Sequence, residues 1–410
     1  MEFDTLDDIE TQGKIVYLRV DFNMPLDKEN LTIIDVTRMK RVLPTLKELI
    51  ENNAKTVIIA HQGRKGSGDF TSLKQHAETL QQLLDHPVDF VDDIHGEKAQ
   101  QAIKNMKPQD VLFLDNVRKL AYETDKKTAE QHAQTPFIQN LYPLGDIFVN
   151  DAFAAAHRAQ CSLIGFTTVL PSGAGRLMET EIKTLSQVIQ NPDKPSVFLF
   201  GGAKFSDIII TIERVLQNNT ADHILLTGLP ANAFLKAEGV NLGDQNEKIL
   251  SEEASDQQFK EIKKLMDNYG DVITLPIDFA YEQNNERKEI STQNLPVNQS
   301  LYDIGTQTIH QYKDILKKAR TVFLSGPCGV FEQTIFMKGT KEIFSYVAST
   351  DAFSIVGGGH TVAAVTTLDL INDFSHISTG GGSLEKFMMG EKLPVIEALK
   401  KAKQKHIVHP

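Results

Sequence analysis

The stretch 170–195, LPSGAGRLMETEIKTLSQVIQNPDKP, divides the chain into halves with different phosphate-binding vocabularies. Before it the glycines stand singly and arginines lead: Arg38, Arg64, Arg118 and Arg158 each begin or follow a short polar signature. After it come the glycine clusters Gly201-Gly202, 357–359 and 380–382. Within the stretch, Leu177, Met178, Ile182, Leu185, Val188 and Ile189 recur near the helical period, with Pro171 and Pro192 at the ends. The pattern predicts a helix over 172–192 with Ser172 as a candidate cap and Glu179 and Glu181 near the first turn, where negative charge suits the helix dipole. Taken alone, such a stripe is an amphipathic core helix.

Working outward, segments of strand character alternate with segments of helical character. Toward the N-terminus the strands read KIVYLRVDF (14–22), TVIIAH (56–61), VDFV (88–91), VLFLDNV (111–117) and IFVNDA (147–152). Helical stretches at 37–52, 72–85, 95–105 and 128–141 separate them. Beyond the connector the alternation restarts with SVFLFGG (196–202), HILLTG (223–228), VITLPIDF (272–279), TVFLSG (321–326), FSIVGGG (353–359) and HISTGGG (376–382). This order predicts an α/β protein with two doubly wound, Rossmann-like parallel-sheet domains joined by a central helix. The polar run 282–303 reads as a surface excursion, and the end of the chain, LPVIEALKKAKQKHIVHP, as a short helical turn with a basic tail.

A length of 410 residues supports two cores rather than one, since single cores seldom grow past roughly 250–300 residues. Hydrophobic residues at 41% and charged residues at 24% are ordinary for a globular chain, and the apolar runs are too short to span a bilayer. The acidic N-terminus, MEFDTLDDIETQGK, has neither the apolar core of a secretory signal nor the arginines of a transit peptide, so cytoplasmic residence is the expectation. Cys161 and Cys328 are too isolated to imply a disulfide framework or a zinc site. A formal charge of −11 argues against general nucleic-acid binding, so any anion site is a local basic focus.

In open α/β sheets, ligands bind beyond the carboxyl ends of the strands, and chemistry-bearing residues gather there. Asp21 and Asn23 follow the first strand, His61 and Arg64 the second, Asn116 and Arg118 the fourth, and Asn150, Asp151, His157 and Arg158 the fifth. Each has a structural reading on its own, a solvated helix face for Arg38 or a satisfied core histidine for His61. Their shared placement points instead to a small polyanion gripped by guanidinium forks. In the second half, GGAKFS (201–206), GGGHT (357–361) and GGGS (380–383) are strand-to-helix junctions that present backbone N–H groups to an anion, with Lys204 as a point charge. Any one of them is equally well a tight turn where only glycine fits. None completes the P-loop or dinucleotide fingerprint.

Together, RVDFNMP, AHQGR, DNVR, VNDAFAAAHRAQ, GGAKFSD, SGPCGVFE, STDAFSIVGGGHTVAAV and FSHISTGGG resemble phosphoglycerate kinase, in order and spacing, over nearly the whole chain, with details of its archaeal branch. The resemblance implies an acceptor domain, 1–171, completed by the tail 393–410, that holds 3-phosphoglycerate or the bisphosphate through Asp21, Asn23, Arg38, His61, Arg64, Arg118 and Arg158, with Arg38 nearest the transferred group. It implies a nucleotide domain, 193–392, that binds ATP or ADP through Gly202, Ala203, Lys204, Glu332, Gly358, Gly359, His360 and Thr361. Arg38 and Lys204 become the catalytic pair, magnesium the nucleotide's ion, and the connector a hinge candidate.

Four positions depart from the better-known bacterial and eukaryotic pattern: His360 where aspartate is usual, Ile208 where a second lysine is usual, Ser325 for asparagine and Lys386 for glutamate. Histidine is a poor ligand for magnesium, so the metal ligands stay unassigned. Two other readings remain at this level, a non-catalytic phosphometabolite-binding protein on the same fold and a nicotinamide dehydrogenase.

Overall fold

The computed structural model describes residues 1–203 and 206–408. Cα packing separates two compact units, Met1–Lys183 with Lys392–Pro410, and Thr184–Glu391; the division falls inside the connector helix, Arg176–Gln190.

The first unit is built on seven strands: β1 (Asp4–Thr5), β2 (Ile15–Arg19), β3 (Lys55–Ile59), β4 (Asp89–Val91), β5 (Val111–Leu114), β6 (Ile147–Asn150) and β7 (Ser172–Ala174). All pair parallel, in the order β1-β7-β6-β2-β3-β5-β4. Because both faces of a parallel sheet are covered, its strands are apolar throughout rather than alternating. Val16, Leu18, Ile58 and Val149 face the helices Thr37–Glu51 and Lys74–Leu84 through Met39, Leu46 and Leu80, while Tyr17, Val57, Ile59 and Phe148 meet Phe137 and Phe166 on the other side.

The second unit adds β8 (Ser196–Phe200), β9 (His223–Leu226), β10 (Ile273–Thr274), β11 (Asp278–Gln283), β12 (Glu286–Ser291), β13 (Leu301–Ile304), β14 (Thr321–Ser325), β15 (Phe353–Gly357) and β16 (His376–Ile377). Six form a parallel sheet, β10-β9-β8-β14-β15-β16, and three an antiparallel sheet, β12-β11-β13. In each parallel sheet the winding direction reverses once, between β2 and β6 and between β8 and β14. Those switch points open a crevice at the strands' carboxyl ends, and they decide where the sites lie.

Three expectations need correction. The run 282–303 is no excursion: Asn284 and Asn285 take φ of 56° and 59°, and this turn closes a β11–β12 hairpin with Gln283 opposite Glu286. Positive φ at both central residues matches the right-handed twist of the flanking strands. Arg287 anchors the hairpin by donating to the buried Asp303 at 2.8 Å and to the Ile304 carbonyl at 2.8 Å. The chain's end is a full helix, Pro394–Val408, that buries Val395 and Leu399 in the first unit, with the Val395 N–H donating to the Ala156 carbonyl at 3.2 Å and Lys403 paired with Asp4 at 3.0 Å.

The third correction concerns Ser172, which does not cap the connector. It pairs with Phe148 as the first residue of β7, and the helix starts at Arg176. Its N-terminus is held by a side chain from another strand end. Asp151 accepts from the Met178 N–H at 2.8 Å and the Thr45 hydroxyl at 2.6 Å, and Thr45 in turn accepts from the Arg176 N–H at 2.8 Å. A carboxylate there satisfies helix-end donors and meets the positive end of the dipole. Gly175 leaves it room, since an added Cβ would lie 2.4 Å from the Asp151 Cγ.

Burial raises the Asp151 carboxyl to about 6, against the opposing hydrogen bonds from Thr45, Met178 and Leu177. Between about pH 4 and 6 the folded chain therefore keeps a proton that the unfolded chain has lost, so rising pH favours unfolding across that window. Compared with an Asp151→Asn variant, the wild-type denaturation midpoint should fall from pH 4 to 6 and run level above it. A gap that does not change with pH would show that Asp151 is ionised throughout.

Candidate functional site

At the switch point of the first sheet, Asp21 leaves the end of β2 and meets Arg38, in the first turn of the Thr37–Glu51 helix, at 3.0 Å. A cation at a helix N-terminus opposes the dipole, and Asp21 offsets that. Burial pushes the Asp21 carboxyl up, but His61, Arg38, the Asn23 N–H and Arg19 together pull it down to about 2. It is a fixed negative charge at neutral pH.

Asn23 ties this strand end to the next one. Its N–H donates to Asp21 at 3.1 Å and its Oδ1 accepts from the Gly63 N–H at 2.8 Å. The Gly63 carbonyl accepts from the guanidinium of Arg118. Gly63 takes φ of 66°, and a Cβ there would lie 2.6 Å from the Asp69 backbone, so the turn that links these residues requires glycine. Asn116 is scaffolding rather than a ligand. Fully buried, it donates to the Gln62 and Thr71 carbonyls at 2.8 and 2.9 Å and accepts from the Arg118 N–H at 3.1 Å. Asn150 is likewise committed, to the Leu163 carbonyl and the Ala152 N–H.

Arg64, Lys65, Arg118, Arg158, Thr124 and Gln160 line a cleft of about 490 Å³ with no carboxylate in its wall. Burial first, then Arg158 and Arg19, lower Arg118 to about 10. Such mutual repulsion is relieved by an anion, which is the electrostatic signature of a phosphate or carboxylate site. The Arg118 Nε and the Gln160 Oε1 are both buried without a hydrogen-bond partner in the protein. Among the residues that sequence reasoning passed over, Gln160 had its signal in HRAQ, two positions after Arg158. Lys65 had only its neighbour Arg64.

His61 is 2% exposed and contacts Arg19 at 3.2 Å. Burial, reinforced by Arg19, Arg118 and Arg158 and opposed by Asp21, drives it well below the ordinary histidine range, so it is neutral at pH 7. The seven arginine-side candidates therefore fall into one network and its adjoining cleft. Arg64 is exposed, and Arg38 is about a third exposed.

At the other switch point, β8 and β14 end in loops that bond to each other. The Gly201 N–H donates to the Ser325 carbonyl at 2.8 Å, and the Gly202 N–H to the Pro327 carbonyl at 2.9 Å. Ser325 thus serves through its backbone. The Gly326 N–H donates to the Thr361 hydroxyl at 2.7 Å, which brings in the helix Gly359–Thr367 after β15. Thr361 is buried and holds loops together.

The glycines separate by cause. A Cβ at Gly201 would stand 2.4 Å from the Pro327 carbonyl oxygen, and one at Gly326, where φ is 94°, 2.1 Å from that of Gly201. Those two are required by close backbone approach. Gly359 has nothing within 4 Å, and Gly358, at φ 91°, only the Thr361 hydroxyl at 3.4 Å. Open space at a helix N-terminus is where an anion's oxygens fit. His360 and Glu332 are exposed on this side, and Ala203 as well. Lys204 lies outside the described residues. Lys386 pairs with Glu391 at 2.7 Å on the surface.

Among the described residues no group of three His, Cys, Asp or Glu side chains is placed to hold a metal ion, and no helix is long and apolar enough to cross a membrane. An arginine-lined cleft at one switch point and glycine loops around an open helix end at the other fit an α/β phosphotransferase. The family model for phosphoglycerate kinase matches residues 6–391. Phosphoglycerate kinases of Methanobacterium bryantii and Methanothermus fervidus are 45% and 43% identical, over 99% and 98% of both chains. The solved phosphoglycerate kinase of Pyrococcus horikoshii OT3 superposes with a TM-score of 0.87 at 39% identity, covering 98% of this chain and 99% of that one; the structure from Coxiella burnetii gives 0.84 at 31%. The chain belongs to the phosphoglycerate kinase family, with archaeal relatives covering its full length, and it is a kinase that carries out ATP-dependent phosphoryl transfer with 3-phosphoglycerate.

Proposed function

We propose that 3-phosphoglycerate or its bisphosphate is held by the unit Met1–Lys183 with Lys392–Pro410, and ATP or ADP by the unit Thr184–Glu391. The observation that carries this division is the chemistry of the two switch points: guanidinium groups without a facing carboxylate in one cleft, backbone N–H groups beside open space in the other.

The reaction is 1,3-bisphosphoglycerate + ADP = 3-phosphoglycerate + ATP, with the carboxylate of 3-phosphoglycerate as acceptor. That carboxylate is ionised at pH 7, so no general base is required. Transfer depends on in-line positioning and on neutralising charge at the equatorial oxygens. Arg64, Arg118 and Arg158 grip the substrate phosphate. Asp21, ionised and able only to accept, suits the substrate's single hydroxyl donor, while Asn23 keeps that strand end aligned. His61 contributes an uncharged donor, and Arg38, the most accessible cation beside Asp21, neutralises the transferring group together with Lys204. On the nucleotide side, Gly202, Ala203, Gly358, Gly359 and His360 cradle phosphates, Thr361 fixes their loops and Glu332 accepts from ribose hydroxyls.

Magnesium binds few protein ligands when phosphate oxygens are available, and the open helix end at Gly358 and Gly359 fits an ion carried on the nucleotide rather than on a protein cage. When bound, the ion supplies charge neutralisation on the phosphates. A glycolytic role places the enzyme in the cytoplasm, consistent with two free, buried cysteines.

A coupled assay for ATP formation from 1,3-bisphosphoglycerate and ADP tests the reading. ATP should form with magnesium and stop when the ion is chelated. Binding of both ligands without any ATP formation would favour a non-catalytic binding protein.

A further inference from the structure

Arg19, the last residue of β2, has no exposed surface, and each of its nitrogens is committed. Nε donates to the Ser162 hydroxyl at 2.8 Å, Nη1 to the Val20 carbonyl, and Nη2 lies 3.2 Å from Nδ1 of His61. Behind it stands Glu123, 1% exposed. Its Oε1 accepts from the Ser162 hydroxyl at 2.6 Å and its Oε2 from the Ser162 N–H at 2.9 Å. The four residues form a chain from a buried carboxylate to the imidazole.

Donor and acceptor roles along this chain are fixed by elementary inventory. A guanidinium has only donors. Ser162 therefore accepts from Arg19, and with Glu123 ionised its one hydrogen goes to that carboxylate, which then accepts on both oxygens. At the other end, Nδ1 of His61 must be the acceptor, so a neutral ring carries its proton on Nε2. We propose that Glu123, acting through Ser162 and Arg19, is a positioning residue that locks His61 as its neutral Nε2–H tautomer, presenting an uncharged donor to the anionic acceptor substrate. The proposal rests on the reading that His61 lies at the 3-phosphoglycerate site.

The electrostatics agree with the geometry. Arg19, Arg118, Arg158 and Asp21 face His61, and an imidazolium would add a further positive charge to three buried or partly buried arginines. Arg19 cannot shed its charge, so burying it calls for a nearby opposite one. Burial raises Glu123 to about 7, against the pull of Arg19, Ser162 and Arg118. Glu123 is the carboxylate bonded to Arg19 through Ser162, and Asp21 is already paired with Arg38. An unpaired guanidinium would shift its own contacts, the imidazole nitrogen among them.

The test uses the full-length, ¹⁵N-labelled enzyme, with the His61 ring signals assigned by their loss in His61→Ala. At pH 8, where Glu123 is ionised, long-range ¹H–¹⁵N spectra should show Nε2 protonated and Nδ1 as an acceptor. In Glu123→Gln the ring should lose its single tautomer at that pH. KM for 3-phosphoglycerate should rise about tenfold, the scale of one lost charge-assisted hydrogen bond, with kcat changed by less than about threefold and KM for ATP unaltered. Ser162→Ala cuts the link while leaving the carboxylate, and should move the same readouts in the same direction. A wild-type ring protonated on Nδ1 would overturn the proposal, as would folded variants with unchanged tautomer and KM. His61→Ala separates the two layers: undiminished 3-phosphoglycerate binding in that variant, measured by calorimetry, would refute the site reading, whereas weakened binding with an unresponsive tautomer would refute only the positioning role.

Discussion

Replacing Arg38 by alanine should lower turnover by about two to four orders of magnitude, the scale expected when a cation that neutralises a transferring phosphoryl group is removed. ADP affinity should stay within a factor of about two, because the residue belongs to the unit Met1–Lys183 with Lys392–Pro410 and the nucleotide is proposed to bind the other. The fold should survive. Arg38 is 38% exposed, and its partner Asp21 keeps the Asn23 N–H and the field of Arg19, so little stability depends on the pair. Steady-state kinetics with ADP calorimetry checks both halves. Near-normal turnover would remove Arg38 from the reaction, and a parallel collapse of ADP binding would point to general misfolding.

The second large effect is expected at Gly326→Ala. Its φ of 94° already disfavours any side chain, and the added Cβ would sit 2.1 Å from the Gly201 carbonyl oxygen, backbone against backbone. Relief requires the two loops at the β8–β14 switch point to part, breaking the Gly201–Ser325 and Gly326–Thr361 hydrogen bonds that hold the glycine loops together. ATP and ADP affinity should fall more than about tenfold, the equivalent of one or two such bonds. Binding of 3-phosphoglycerate should be unchanged. If instead Gly359→Ala, which meets nothing within 4 Å, proved equally damaging to the empty protein's stability, close packing would not be what distinguishes these glycines.

Much of this architecture was legible because parallel strands are written as uninterrupted apolar runs and because switch-point sites fall directly after them. RVDFN, HQGR, DNVR and AHRAQ could be placed at strand ends without knowing a single contact. What stayed hidden depends on partners distant in sequence. Ser172 looked like a helix cap because Asp151, the group that holds the helix end, lies 27 residues from its Met178 partner. The Arg19–Ser162 bond spans 143 positions and Ser162–Glu123 spans 39, so neither Glu123 nor Ser162 carried any local signal. The hairpin after β11 was missed for another reason. Its second strand, ERKEIS, is charged on both faces, and only Asn284-Asn285 marked the turn. For the glycines, the sequence left a structural and a binding role equally open. Close backbone approach accounts for Gly201 and Gly326, and open space distinguishes Gly358 and Gly359.

The assignment of one substrate to each unit is tested most directly by amide hydrogen exchange of the full-length chain with each ligand alone. With 3-phosphoglycerate, protection should rise at 19–23, 61–64, 116–118 and 157–160. With magnesium ADP it should rise at 200–203, 326–332 and 357–361. Both ligands protecting the same unit, or 3-phosphoglycerate protecting the glycine loops, would contradict the division between an arginine site and a glycine site.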